Sequence, residues 1–142
     1  MSKALCASQQ FWKNLILELE KRGNPFKINP SQKQYAVVNR NDLSFGKTGF
    51  FIDYLYTYRI IRMGLWIPNE IELHEKLKTF KDSIKNKLSY EFYWDYVGVK
   101  NKNARWIKRE ICIDDYTEEE AINEVINILV EFIPVINEYV KI

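Results

Sequence analysis

The chain has 142 residues, enough for one ordinary domain and too few for two well-built cores. Hydrophobic residues make up 46%, which excludes a disordered chain, and a net charge of +2 excludes a protein held to nucleic acid by bulk charge alone. Aromatic residues reach 15%; Tyr and Trp rings need a polar partner or a wet edge, so part of this load suits a cleft or an interface.

Residues 1–8 are expected to form a flexible N-terminus. From Ser8 to Arg22, Phe11, Trp12, Leu15, Ile16 and Leu19 recur at helical spacing, with Gly23 as a stop and Pro25 just beyond. Asn24 to Lys33 contains two prolines and reads as a connector. Tyr35 to Arg40 is a short strand, Asn41 to Ser44 a turn, and Gly46-Lys47-Thr48-Gly49 a second turn. Phe50 to Tyr58 is a strong β run with Phe50, Ile52, Tyr54, Tyr56 and Tyr58 on one face. Arg59 to Ile67 is the next strand, ended by Pro68, although no Gly or Asn-Gly marks the turn before it.

Pro68-Asn69 opens a helix through about Leu88, with Leu73, Leu77, Phe80, Ile84 and Leu88 as its apolar stripe and lysines elsewhere. Tyr90 to Val97 reads as a strand carrying Tyr90, Phe92, Trp94 and Tyr96 on one face. Gly98 to Asn103 is a polar turn, and Ala104 to Ile113 the last strand. Thr117-Glu118-Glu119-Glu120 forms a capping box, with acids at the positive end of the helix dipole. The helix it opens carries Ile122, Val125, Leu129, Phe132, Ile136 and Val140 on one face, and Pro134 is expected to kink or divide it. The expected fold is a single α+β domain over residues 1–142, with a largely antiparallel five-stranded sheet, helices packed on one face, and the order α-β-β-β-α-β-β-α.

Few chemistries survive inspection of the side chains. His74 is the one histidine, so triads and multi-histidine metal sites lack their material, and its place in a helix reads as surface. Cys6 and Cys112 belong to no C-x-x-C motif and are expected to be free thiols in a reducing compartment. Gly46-Lys47-Thr48-Gly49 shares letters with a phosphate loop, but position 41 is Asn and a strand follows where a helix must begin. No acid is followed two residues later by Lys, which removes the acid-x-Lys core of restriction-type nucleases. Asp53 and Asp95 lie on aromatic strands and are the acids that an aromatic-cleft enzyme would use; their plain role is pairing with Arg59 or Arg62. No cofactor is expected. Met1 to Gln10 has no secretion-signal core, and no run nears the roughly 20 apolar residues of a membrane span, so the expected setting is cytoplasmic, without a membrane partner.

The segment Lys100 to Arg109 holds five basic groups and no acid. Lys100, Lys102, Arg105, Trp106, Lys108 and Arg109 are the candidate residues for a protein or nucleic-acid partner, cations meeting phosphates and Trp106 stacking. Alternation sends Arg105 and Arg109 one way and Trp106 and Lys108 the other, and an acidic stretch follows at Asp114 to Glu124.

Several local patterns together resemble the domain of unknown function 4268 family. They are Phe11-Trp12, Gly23-Asn24-Pro25-Phe26-Lys27, Gly46-Lys47-Thr48-Gly49-Phe50, Leu65-Trp66-Ile67, and Lys102-Asn103-Ala104-Arg105-Trp106-Ile107. Where that family commonly carries an Asn-Thr-Arg-Lys turn, this chain has Tyr56-Thr57-Tyr58-Arg59. The resemblance implies an α+β accessory domain associated with nucleases and with bacterial or phage defence, here standing alone. The leading expectation is therefore a non-catalytic binding module, engaging a protein or nucleic acid through its aromatic sheet face and the Lys100–Arg109 hairpin. A homodimeric interaction or inhibitor domain comes second, and a small-molecule enzyme with an aromatic cleft third.

Overall fold

The alternation read at Phe50, Ile52 and Tyr54 decides the architecture, because these three side chains are buried and their neighbours are not. The computed structural model describes residues 2–23, 26–39 and 48–142. In chain order the elements are α1 (Lys3–Arg22), β1 (Lys27–Pro30), β2 (Tyr35–Asn39), β3 (Gly49–Leu55), β4 (Ile60–Ile67), α2 (Ile71–Thr79), α3 (Lys81–Lys87), β5 (Tyr93–Val97), β6 (Arg105–Cys112), a 3₁₀ turn (Ile113–Asp115) and α4 (Glu118–Val140). The strands form one antiparallel sheet in the order β1-β2-β3-β4-β6-β5. The α+β class and the helix-covered face are as expected, with six strands in place of five.

The extra strand is β1, inside the stretch read as a connector. Ile28 is buried and pairs with Val38, while Pro25 and Pro30 bracket the strand and disguise it. Pro30 lies on a strand at the edge of the sheet, where a missing N–H is tolerated. Helix α1 begins five residues before the expected start, replacing the expected flexible N-terminus with helix from Lys3. The Ser2 side chain accepts from the Leu5 N–H and caps it. Gly23 ends the helix in the left-handed region, φ 62°.

The helix expected from Pro68 to Leu88 is two helices. Phe80 sits at φ −101°, ψ 11° between them, and the Thr79 hydroxyl donates back to the Lys76 carbonyl at 2.6 Å, a bond that bends helices. Helix α4 is undivided despite Pro134. The proline faces solvent, so water can meet the Val130 carbonyl that it leaves without an amide. The Thr117–Glu120 capping box is present in both directions, at 3.1 and 2.9 Å.

Helices α1 and α4 cover one face of the sheet. Phe11 and Trp12 of α1 pack on Tyr54, with ring centroids 5.0 and 6.4 Å apart. Phe132 of α4 meets Phe50 edge-on at 5.8 Å and stacks on Phe92 at 4.0 Å. Ile61, Met63, Leu65 and Ile67 of β4, with Ile107 and Ile111 of β6, complete this core. The turn between β3 and β4, Tyr56 to Arg59, closes without glycine. Arg59 takes the left-handed conformation, φ 56°, and donates from Nε and Nη2 to Asp114 at 3.1 and 2.8 Å. The expected turns at residues 41–47 lie outside the described residues, but β3 follows Thr48 directly, which is not the helix that a phosphate loop requires.

Candidate functional site

Each strand's other side chains point away from the helices. Register lines them up in three rows. Asp53, Arg62 and Glu110 form one; Phe51, Gly64 and Lys108 the next; Gly49, Trp66 and Trp106 the third. Tyr35 of β2 extends the first row, beside Asp53, and Tyr96 of β5 extends the third, beside Trp106. The glycine at the centre supplies no side chain, and around it opens a groove of about 410 Å³ lined by Tyr35, Phe51, Asp53, Arg62, Trp66, Tyr96 and Trp106.

Tyr96 reaches this groove through an irregularity. Tyr93 pairs with Lys108 and Tyr96 with Trp106, so three residues of β5 span two of β6. The bulge sends Trp94 to the helix side and Tyr96 to the open side. This corrects the expectation that Tyr90, Phe92, Trp94 and Tyr96 share one face: Phe92 and Trp94 join the core, and Tyr96 does not.

The two indoles meet edge to face, 5.7 Å apart at 88°, an arrangement favoured by ring quadrupoles. Asp53 accepts from Arg62 Nε at 2.7 Å. Burial pushes the Asp53 carboxyl above the ordinary carboxylate range, outweighing the downward pull of Arg62 and Lys108. Lys108 pairs with Glu110 and lies 5.3 and 5.8 Å from the Tyr96 and Tyr93 ring centres, a second cation held among rings. The open face thus carries large aromatics and two internally balanced ion pairs.

Residues 7–141 match the family described as domain of unknown function DUF4268. The chain belongs to this family. No curated protein matches it. Among solved structures, a chain of the "Crystal Structure of the ExsC-ExsE Complex" is similar in fold, with a TM-score of 0.51, 11% identity, and coverage of 95% of this chain and 94% of that one. At that identity the likeness is one of fold.

On this DUF4268 scaffold the basic segment does not converge. Lys100 and Lys102 are exposed in the β5–β6 turn. Arg105 donates to the Lys102 and Ala104 carbonyls at 2.7 and 3.0 Å, tying that turn together. Arg109 donates to the Glu91 carbonyl at 3.1 Å and lies 5.2 Å from the centre of the Tyr90 ring. Of the six candidates, Trp106 and Lys108 alone are brought together on the open face. Asp53 and Asp95 are not brought together either: Asp95 is exposed, pairs with Lys78 at 2.7 Å, and is held below the usual carboxylate range by that bond. Among the described residues, His, Cys, Asp and Glu form no group of three that could hold a metal, and no helix is long and apolar enough to cross a membrane.

Sequence reasoning missed Tyr35, Phe51 and Trp66, and named Arg62 only as a partner for Asp53. Their signal was present in the strand alternation, since burying Phe50, Ile52 and Tyr54 must turn Phe51 and Asp53 outward.

Proposed function

We propose that this chain is a non-catalytic protein-interaction module that binds its partner on the open face of the sheet. One observation carries the reading: the face opposite the helices holds an aromatic groove whose neighbouring charges, Asp53 with Arg62 and Lys108 with Glu110, are paired with one another. Tyr, Trp and Arg in partly buried settings are the residue types that anchor protein interfaces. The sheet edges are less suited to a partner strand. β1 is four residues long and ends in proline, while His74 bonds the Trp94 carbonyl on β5 and Lys78 pairs with Asp95. The fold shared with a chain crystallised in a complex is in keeping with this role.

The nucleic-acid reading has weaker support. Lys108 is committed to Glu110, and Arg105 and Arg109 bond to backbone carbonyls, so phosphates would find Lys100 and Lys102 at the rim and little else. The biological setting we propose is the one that the family resemblance implies, bacterial or phage defence.

The reading is tested by capturing proteins from a host lysate on the immobilised wild-type chain and on a Phe51→Ala, Trp66→Ala double variant. A second, tagged copy of the chain is included among the candidate partners. The expected result is a protein held by the wild type and lost by the folded variant. Equal capture by both would remove the open face as the interface, and retardation of single-stranded DNA at low salt would favour nucleic acid.

A further inference from the structure

We infer that the partner seated on this face is a second copy of the chain, related by a twofold axis lying over the β3–β4 seam and parallel to the strands. The inference rests on the interaction reading above and names its occupant. Such an axis exchanges the two columns, so every β3 residue faces the β4 residue of its own row in the other copy. The row pairs are Asp53 with Arg62, Phe51 with Gly64, and Gly49 with Trp66. In each row the two members are complementary, either acid against base or large ring against glycine. A ring from one copy therefore faces a position of the other copy that carries no side chain, and in these rows no like charges meet. The same operation carries Tyr35, exposed on β2, over Glu110 on β6, where a phenol can donate to a carboxylate.

This self-complementarity is what an isologous interface requires, since one patch must fit itself. Packed sheets cross at about 30°, a turn about the sheet normal that displaces the central row, Phe51 and Gly64, least. The charges agree with the assignment. Asp53–Arg62 and Glu110–Lys108 each balance, so the middle of the face, where the two copies meet, adds no net charge to the contact.

Charge exchange gives a test with a signature that a merely structural role does not have. Asp53→Lys sets a cation against Arg62 in both row contacts of a homodimer, and Arg62→Glu sets a carboxylate against Asp53 in both. Each variant alone is expected to sediment as a monomer of about 17.0 kDa, where the wild type sediments at twice that mass. An equimolar mixture of the two is expected to sediment as a heterodimer. In it the introduced lysine of one copy meets the introduced glutamate of the other, and the remaining Arg62 meets the remaining Asp53. A wild type monomeric across the dilution series would overturn the inference, as would variants that stay dimeric alone. If the variants fail to fold, the wild type decides: dissociation on dilution must expose Trp66 and shift its emission to the red, and an unchanged spectrum would move any dimer contact off this face. A monomeric wild type that still captures a lysate protein through Phe51 and Trp66 would sink the second-copy assignment and leave the interaction reading standing.

Discussion

Gly64 shows how much of this molecule rests on one missing side chain. Its φ is 156°, a conformation that L side chains rarely adopt, and a Cβ built there would lie 1.9 Å from the Ile107 carbonyl oxygen on β6. Backbone cannot yield as a flexible side chain does, so Gly64→Ala must push β4 and β6 apart along the middle of the sheet. The expected cost is about 3–5 kcal/mol, adding backbone strain to overpacking. Chemical denaturation measures it, and a loss below about 1 kcal/mol would show that the strands reseat easily. Arg59 poses the opposite case. The turn it closes has no residue that sequence reading associates with a left-handed backbone, because two of Arg59's partners are distant in the chain: the Ile113 N–H donates to its carbonyl at 2.9 Å, and Asp114, 55 positions away, accepts from its side chain. Asp53 pairing with Arg62 was legible, since both lie on adjacent aromatic strands. Arg59 pairing across to Asp114 was not, because it depends on where the 3₁₀ turn after β6 arrives.

Among the elements, long periodic ones were readable and short or irregular ones were not. The faces of α1 and α4 and the capping box follow from spacing alone. β1 was hidden between prolines, and the β5 bulge reversed the side on which Tyr96 stands. β5 also depends on a residue whose role spacing misassigned. His74 reads as a surface histidine in a lysine-rich helix, yet it is buried, and its Nε2 lies 2.8 Å from the Trp94 carbonyl. That contact ties α2 to β5 at the edge of the sheet. His74→Ala leaves the carbonyl without its partner and opens a cavity beneath α2. The expected loss is about 2–4 kcal/mol, from the unmade hydrogen bond and the lost packing together. Amide exchange in β5 is expected to accelerate more than in β3, because the change is at the edge. Uniform acceleration across the sheet would mean that His74 supports the core as a whole and has no special tie to β5.

At the scale of the whole molecule, the aromatic surplus divides by face. Helices cover Phe50, Tyr54, Phe92 and Trp94, whereas Phe51, Trp66 and Tyr96 stand on the open side. Composition announces the surplus but not its division, which needs the helices' positions and the β5 bulge. The division has an optical consequence. Trp12, Trp94 and Trp106 are 1%, 2% and 3% exposed, and Trp66 alone among the four is half-buried. Trp106 lies on the open face, but Trp66 meets it edge-on and Tyr96 pairs beside it. In a monomer, acrylamide is therefore expected to quench one fraction of the emission readily and the rest weakly. Trp66→Phe keeps a ring on the groove wall and should abolish the accessible fraction while leaving the melting temperature within a few degrees, as surface changes of similar shape do. Accessible emission that persists in Trp66→Phe would place a second indole in solvent and contradict the packing of Trp106 between its neighbours. Under conditions where two copies associate on this face, the wild type should lose its quenchable fraction without any substitution, because the one exposed indole is the one that the second copy covers.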